Sequence, residues 1–559
     1  MQGRKGVRWS FVVGLLVLAA ALPLAGCGSS GGSSSSGTSA SGGEGEGPSA
    51  SLVETTPAAS GPISSFTWDL PYGEPFSLDP AFSYNYSENS VLSNICEGLL
   101  RETPQRKIEP ALAESVTHPD PLSWVYTIRK GVKFFDGTPL TAGDVVYNLK
   151  RQIEPKLGSY YYSSFGNKIA GVKQTGADEV TVKTKQPDSL VNEMMVTGLG
   201  TIVDPQSIKS QGKNFGTAAG TLNCTGPFQL EKWAPGSSIT LKKNPNYWDK
   251  SLQPKADTVV FKFITDQTAL ANALISGEVD GTYEAPVSAI ERLESSGNGH
   301  LYLGVSTQGL SIYPFGNPAT NDLKIRQAIY ASVDRAGIAE TAYAGTATPV
   351  KSLASPDASA FGESIFSKYY ESVPEPGPDV EKAKQLFEEA GSPSTPIRTA
   401  VPSGDPALAQ AANAIQDAAK EAGIDLKIEP LPPNQFVALY FEPETAKSNY
   451  DMMITTTYYD VPDLLEFYAI TVLPGVLQNI SEYENPVVSK AVAAGVATTE
   501  DEERAEDTVE AAAPLDKEIP YLPLERLQER LYMNNRIAGA PATFPYQYFP
   551  WAALVGAGS

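Results

Sequence analysis

The sequence predicts an α/β protein of more than one domain, and three observations carry that prediction. The chain has 559 residues, too many for one ordinary domain. At 124–135 the apolar residues Trp124, Tyr126, Ile128, Val132 and Phe134 alternate with polar ones, the period-2 pattern of a half-buried strand, and a helix follows at once. At 397–431 a strand, a helix and a second strand succeed one another, the order of a βαβ unit with a right-handed crossover. Apolar content of 41% and charged content of 19% suit a folded chain rather than a disordered one.

The N-terminus indicates the compartment. Arg4, Lys5 and Arg8 stand among the first ten residues without an acid. The apolar run at 11–25 is short for a membrane span but right for the h-region of a signal peptide. Leu24-Ala25-Gly26-Cys27 closes it, in the manner of a bacterial lipobox. Residues 1–26 are therefore expected to be a signal peptide, and Cys27 the lipidated new N-terminus. A plain secretory signal with an incidental cysteine is the alternative. The Gly/Ser-rich stretch 27–61 reads as a flexible tether. The expected location is the outer face of the cytoplasmic membrane, reached by export and held by lipid.

The body opens with a strand at 66–70. Residues 90–101 place Val91, Leu92, Ile95, Leu99 and Leu100 at helical spacing and are read as a helix. After the strand at 124–135, Asp136-Gly137 makes the turn, because glycine accepts positive φ without steric cost. Thr141 stands three residues before Asp144, as an N-cap with an acid in the first turn. Val145, Val146 and Leu149 give the following helix its apolar face. Strands follow at 180–182, 239–242 and 258–264, and a helix at 266–275. Asp322 caps a helix at 323–335. Asp379 caps another at 380–390, which Gly391 stops. Asp405-Pro406 pairs an N-cap with proline at the first helical position and opens a helix at 407–422. Strands are expected at 397–401, 424–431 and 450–457.

Several phrases then occur in one order. Ser77-Leu78-Asp79-Pro80 precedes Glu97-Gly98-Leu99, and Pro110-Ala111-Leu112-Ala113 follows. Next come Phe134-Phe135-Asp136-Gly137-Thr138-Pro139-Leu140, Thr225-Gly226-Pro227-Phe228, Asn244-Pro245-Asn246-Tyr247-Trp248 and Gly277-Glu278-Val279-Asp280. The helix bearing Arg326-Gln327-Ala328 and Val333-Asp334-Arg335 completes the set. Together they resemble the family 5 extracellular solute-binding proteins, receptors of peptide and nickel ABC importers, over nearly the whole body. Cys96 departs from the pattern, standing where the family usually has an aromatic residue. The resemblance implies an α/β fold of two lobes, of the periplasmic-binding-protein type II-like kind, with an extra subdomain and a cleft between the lobes. The expected first lobe is discontinuous, 62–90 with 205–310 and 515–559. The subdomain is 91–204 and the second lobe 311–514. A strand near 521–524 is expected to return to the first lobe.

Enzymatic readings find little support. The chain has two histidines, His118 and His300, each in a loop-like context, so a His-based triad or His-rich metal site has little to work with. No H-E-x-x-H, C-x-x-C, Walker A or G-x-G-x-x-G phrase is present, and no cofactor is expected. A net charge of −22 argues against nucleic acid as a partner. With Cys27 set aside, Cys96 and Cys224 remain as an even pair in an oxidising compartment. A disulfide between them is expected, with two buried thiols as the alternative.

The resemblance also implies a site. A peptide-like ligand needs backbone partners, aromatic walls and an anchor for its amino terminus. In the family the anchor is an aspartate after a strand that here reads Tyr450-Asp451-Met452-Met453-Ile454. By position Asp460 matches it, with Asp463 as a second candidate. Thr456, Thr457 and Tyr458 would line the cleft, and the other walls would be Tyr84, Asn85 and Tyr86, and Tyr283 and Glu284. The family often has tryptophan just before the anchor, where this chain has Thr457 and Tyr458. The implied function is a monomeric, non-enzymatic receptor that binds oligopeptides or dipeptides and hands them to a membrane permease. An oligosaccharide or a metal chelate in the same cleft, or a secreted hydrolase, are the alternatives.

Overall fold

A computed structural model of the chain describes residues 51–559 apart from Pro71 and Leu477. The signal peptide, Cys27 and the tether as far as residue 50 lie outside the described residues. Three sheets organise the rest. The first has seven strands, in the order Phe228–Ala234, Ser238–Lys243, Ala256–Lys262, Ile63–Asp69, Gly281–Thr282, Glu529–Asn534 and Gly299–Gly304. Ile63–Asp69 runs parallel to both of its neighbours. Its Phe66 and Trp68 are fully buried and meet Trp551 from the far end of the chain, with the Trp68 and Trp551 ring centroids 4.5 Å apart. This is why one sheet gathers strands from three distant stretches: the C-terminal aromatic residues fill the core under the first strand.

The second sheet has six strands, in the order Ala347–Pro349, Leu522–Leu527, Gly309–Pro314, Met452–Thr457, Ile397–Pro402 and Leu426–Leu431. Ile397–Pro402 and Leu426–Leu431 pair in parallel, joined by the helix Pro406–Glu421 that Asp405 caps through the Ala407 and Leu408 amides. The third sheet is antiparallel, Ala113–Asp120, Ser123–Ile128, Glu179–Thr184 and Ile169–Gln174. The helix Ala142–Gln152 packs on it, opened by a full capping box between Thr141 and Asp144. Two short stretches link the first and second sheets: 305–308, between Gly299–Gly304 and Gly309–Pro314, and Gln528, between Leu522–Leu527 and Glu529–Asn534. They touch each other, the Leu527 amide donating to the Gln308 carbonyl at 3.1 Å.

The structure corrects several sequence-based expectations. The strand near 521–524 belongs to the second sheet, paired with Gly309–Pro314 and Ala347–Pro349. The return to the first sheet is made by Glu529–Asn534. The helix expected at 90–101 is Tyr86–Leu92. Beyond it, Glu97–Gly98 pairs with Thr201–Ile202 and Leu100–Glu102 with Ile108–Pro110. Tertiary pairing overrides helical spacing there, and a side chain at Gly98 would stand 2.5 Å from the Met195 carbonyl oxygen. The strand expected at 124–135 ends at Ile128, because Gly131 turns the chain at φ +80°. The helix expected at 323–335 breaks at Val333, and Asp334 caps a second helix, Arg335–Thr341. The last part of the expected tether is fastened to the body. Val53 donates to the Leu303 carbonyl at 2.8 Å, Thr56 Oγ1 to Ala540 at 2.8 Å and the Ser60 amide to Ala557 at 2.8 Å.

Cys96 and Cys224 are bonded, their Cα atoms 5.0 Å apart and 128 residues apart in sequence. The bond ties the segment after Tyr86–Leu92 to the turn at Thr225-Gly226. Cross-linking so long a loop restricts the unfolded chain, with a typical effect of about 2–4 kcal/mol. The Cys96→Ser/Cys224→Ser variant is expected to unfold at lower urea concentration than the oxidised protein, and reductant is expected to shift the wild type alone.

Candidate functional site

The site begins where Met452–Thr457 leaves the second sheet. Thr456 pairs with Leu310 and Thr457 with Gly309 in the ladder, and Thr457 Oγ1 lies 2.6 Å from the Tyr313 hydroxyl. The chain then runs across to the first sheet's side. The Tyr458 hydroxyl donates to the Tyr84 carbonyl at 2.7 Å. Its ring meets Tyr86 edge-on at 5.0 Å and Phe544 at 5.1 Å. Tyr72 stacks on Tyr86 at 4.4 Å and Tyr160 on Tyr84 at 5.1 Å. Asn85 acts as N-cap, accepting from the Tyr86 amide and fixing where the Tyr86–Leu92 helix begins. Aromatic walls thus rise from both lobes. Tyr458→Phe removes one bond between them and is expected to weaken the closed state by about 1 kcal/mol, a several-fold loss of ligand affinity in a calorimetric titration.

Asp460 lies at the end of these walls and is 7% exposed. It accepts a hydrogen bond from the Tyr548 hydroxyl, and Tyr548 in turn receives one from Asn89 Nδ2 at 3.2 Å. The Asp460 and Val461 amides donate to Glu466 Oε2 at 2.6 and 3.0 Å. Glu466 sits in the first turn of the helix Leu464–Thr471 and is fully buried, with no partner for Oε1 among the described residues. The two acids line a small cavity of about 20 Å³ with Tyr160, Tyr161, Ser163 and Gln478. Burial pushes both carboxyls above their ordinary range. The Tyr548 hydroxyl opposes the rise at Asp460, while the charge of Asp460 adds to it at Glu466. Glu102 is also buried, one oxygen without a partner among the described residues, and is raised by burial against the opposing pull of Arg106.

The other expected site residues take different places. Asp463 caps the helix Leu464–Thr471, accepting from the Leu465 amide at 2.9 Å, and forms an ion pair with Arg504, which also pairs with Glu193. Tyr283 lies one layer behind the wall, its ring stacked on Tyr546 at 3.6 Å and its hydroxyl donating to the Pro541 carbonyl at 3.0 Å. Glu284 takes φ +53°, a strained position for a side chain of this kind. It is held by Arg530 at 2.5 Å and by Gln308, beside the stretches that link the sheets. The residues sequence reasoning missed are Glu466, Tyr548, Tyr160, Glu102 and Arg504. The Asp463-x-x-Glu466 spacing before an apolar run was a signal for the first. Nothing local marks Tyr548. Larger hollows of about 470 and 510 Å³ open beside the second sheet, one by the Arg398–Asp451 pair and one by Lys351 and Lys382, but Tyr84, Tyr86, Tyr458, Asp460 and Glu466 line neither.

Residues 107–478 match the family described as bacterial extracellular solute-binding proteins, family 5 Middle. The glutathione-binding protein GsiB of Salmonella choleraesuis (strain SC-B67) is 27% identical over 461 residues, 80% of this chain and 86% of that protein. The fold is shared with the periplasmic binding protein DppA from Helicobacter pylori in complex with the peptide STSA, with a TM-score of 0.77, 21% identity, and coverage of 89% and 99% of the two chains. NikA from Staphylococcus aureus in complex with Ni(L-His)2 is similar at a TM-score of 0.72, 20% identity, and coverage of 87% and 98%.

Proposed function

Because the chain belongs to the bacterial extracellular solute-binding proteins of family 5, we propose that it is the receptor of an ABC importer whose solute is a peptide with a free amino terminus. The carrying observation is the buried pair Asp460 and Glu466, which no basic side chain neutralises among the described residues. A carboxylate left in a dry site without a counter-ion is unfavourable, and an ammonium group arriving with the solute supplies that counter-ion. Tyr84, Tyr86 and Tyr458, with Tyr72 and Phe544 beside them, give flat apolar walls that accept many side chains. Asn85 positions the helix that carries Tyr86, while Thr456 and Thr457 set the strand end from which Tyr458 and Asp460 project. Tyr283 and Glu284 support the wall and the linking stretches from behind. Asp460 is the anchor in this reading, and Asp463 holds the loop through Arg504. Binding is by closure of two lobes on the solute, with no covalent step and no turnover.

Peptide ligands also accompany relatives: the DppA structure holds STSA and GsiB is named for glutathione. The nickel chelate in the NikA structure has less support here. His118 stacks on Trp124 at 4.0 Å and bonds the Ser123 carbonyl, and His300 lies on the strand at the sheet edge. Export and lipid attachment at Cys27, a monomeric body, and delivery to a permease complete the proposal. Loss of lipid labelling in Cys27→Ala tests the anchor. The body from residue 51, weighed by native mass spectrometry as purified and again after denaturation, tests the solute. A spread of extra masses lost on denaturation supports peptides, whereas a single discrete mass of a sugar or chelate overturns them.

A further inference from the structure

The anchor holds two acids where one would balance an ammonium group. Asp460 and Glu466 stand on the second lobe, and the opposite side of the cleft covers them with Tyr548 from the C-terminal segment and Tyr160 and Tyr161 from the subdomain. In this closed arrangement the acids are 7% and 0% exposed. Separating the lobes removes those covers and opens the pair toward water. Two like charges in one dry site cannot both persist, so closing must leave one acid protonated. Asp460 is the one held ionised, because the Tyr548 hydroxyl donates to it. Glu466 is the one that takes the proton. The two amides on its Oε2 favour the ionised form, but it is the more deeply buried of the two, at 0% against 7% exposed, its Oε1 has no donor among the described residues, and its side chain stands within hydrogen-bond reach of Asp460, which can accept its proton.

We infer that Glu466 is a proton-carrying positioning residue: it takes up one proton as the lobes close and leaves Asp460 as the single negative charge that meets a singly cationic ligand head. This rests on the peptide-receptor reading above. With Glu466 neutral, Asp460 and one ammonium sum to zero charge. With Glu466 ionised, a negative charge stays buried, and with a neutral sugar in the cleft the same charge is left uncompensated. The other titratable groups facing the pair are Tyr458 on the strand end, Tyr160, Tyr161 and Tyr548 across the cleft, and Glu102 beyond Asp460. Tyr440 faces Tyr160, and Arg106 and Glu193 face Glu102. The tyrosines stay protonated at neutral pH, since burial raises each of the four nearest. The sign follows from linkage: a group that binds its proton more tightly in the closed state favours closure at low pH and loses that contribution as pH rises.

The test uses alanine tri-, tetra- and pentapeptides with free and with acetylated amino termini, titrated calorimetrically into the exported body between pH 5.5 and 7.5 in buffers of different ionisation enthalpy. Wild type is expected to bind the free peptides and not the acetylated ones, to take up nearly one proton per peptide at pH 7, and to lose affinity by up to about tenfold per pH unit at the steepest. Glu466→Gln, which keeps the acceptor for both amides but holds no titratable proton, is expected to bind with a flat pH profile, no uptake, and affinity at pH 7.5 at least equal to wild type. Free-peptide binding without proton uptake, or with the same uptake in Glu466→Gln, overturns the role of Glu466 and leaves the receptor reading standing. If no free peptide binds, or acetylated and free peptides bind alike, the receptor reading falls and this inference with it.

Discussion

Asp460→Ala is expected to weaken binding of a free-amino peptide by roughly a hundredfold or more, while leaving the melting temperature of the empty protein unchanged or raised. The loss follows from removing the counter-ion of a buried ammonium, a change worth about 3–5 kcal/mol when one partner of a dry charge pair is deleted. The lower end is expected here, because Glu466 stands beside the vacated position. Without the neighbouring charge, Glu466 ionises more readily and recovers part of the attraction. The double variant Asp460→Ala/Glu466→Gln has no such reserve and is expected to lose binding beyond the range of calorimetry. The stability arm separates ligand loss from misfolding. With the lobes apart Asp460 faces water, and in the closed arrangement burial pushes its carboxyl up, so in neither arrangement does the ionised group support the fold. Affinity that survives Asp460→Ala unchanged would falsify the anchor assignment.

Arg504→Ala carries the second large effect, on the closed state itself. Arg504 projects from the helix Asp501–Glu518 and pairs with Asp463, the cap of Leu464–Thr471, and with Glu193 at the end of the helix Leu190–Glu193. Next to it the Ser189 amide donates to the Val496 carbonyl at 2.7 Å, so the contact joins the segment after the third sheet to the helices Pro486–Ala497 and Asp501–Glu518. Its removal leaves two buried carboxyls without a cation, at about 3–5 kcal/mol. Burial outweighs the guanidinium and holds Glu193 at about 7 against an ordinary 4.5. An acid raised in this way binds its proton more tightly in the folded protein, so its contribution to stability is greatest at low pH and declines as pH rises from about 4.5 to 7. In Arg504→Ala that decline is expected to become steeper, read as a melting temperature close to wild type at pH 5 and well below it at pH 8. A uniform loss across that range would show that the guanidinium acts through packing on Phe361, 5.1 Å from its ring, rather than through charge.

Where the chain's local chemistry decides the outcome, reading it in sequence was enough. Thr141 with Asp144, Asp405 with Pro406, Asp322 and Asp379 all cap helices at the expected places. The Asp136-Gly137 turn takes its positive φ, and the alternating residues of 124–128 form a strand. Each of these depends on a few neighbouring residues, so a few neighbouring residues suffice to read it. The ordered motifs extended this to the family, and through it to the α/β fold and the segment bearing Asp460. Residues 90–101 show the limit. Their helical spacing is real, but Glu97 and Leu100 find strand partners at 201–202 and 108–110 that no local pattern announces.

The site was legible only on one side. Asp460 and Tyr458 could be placed from the strand before them, but what they meet depends on partners 88 and 374 residues away, Tyr548 and the Tyr84 carbonyl. The placement of Leu522–Leu527 in the second sheet has the same origin, since its partners lie near 309 and 347. The sequence by itself determined the caps, the turns, most strands, and the family with its two-lobed plan. Tertiary structure alone decided that Glu466 lies under the loop bearing Asp460, that Tyr548 reaches Asp460, and that Arg504 links the helix Asp501–Glu518 to Glu193 and Asp463. Capping and alternation are short-range interactions written into adjacent residues, whereas burial and charge pairing across a cleft exist only once distant segments have packed together.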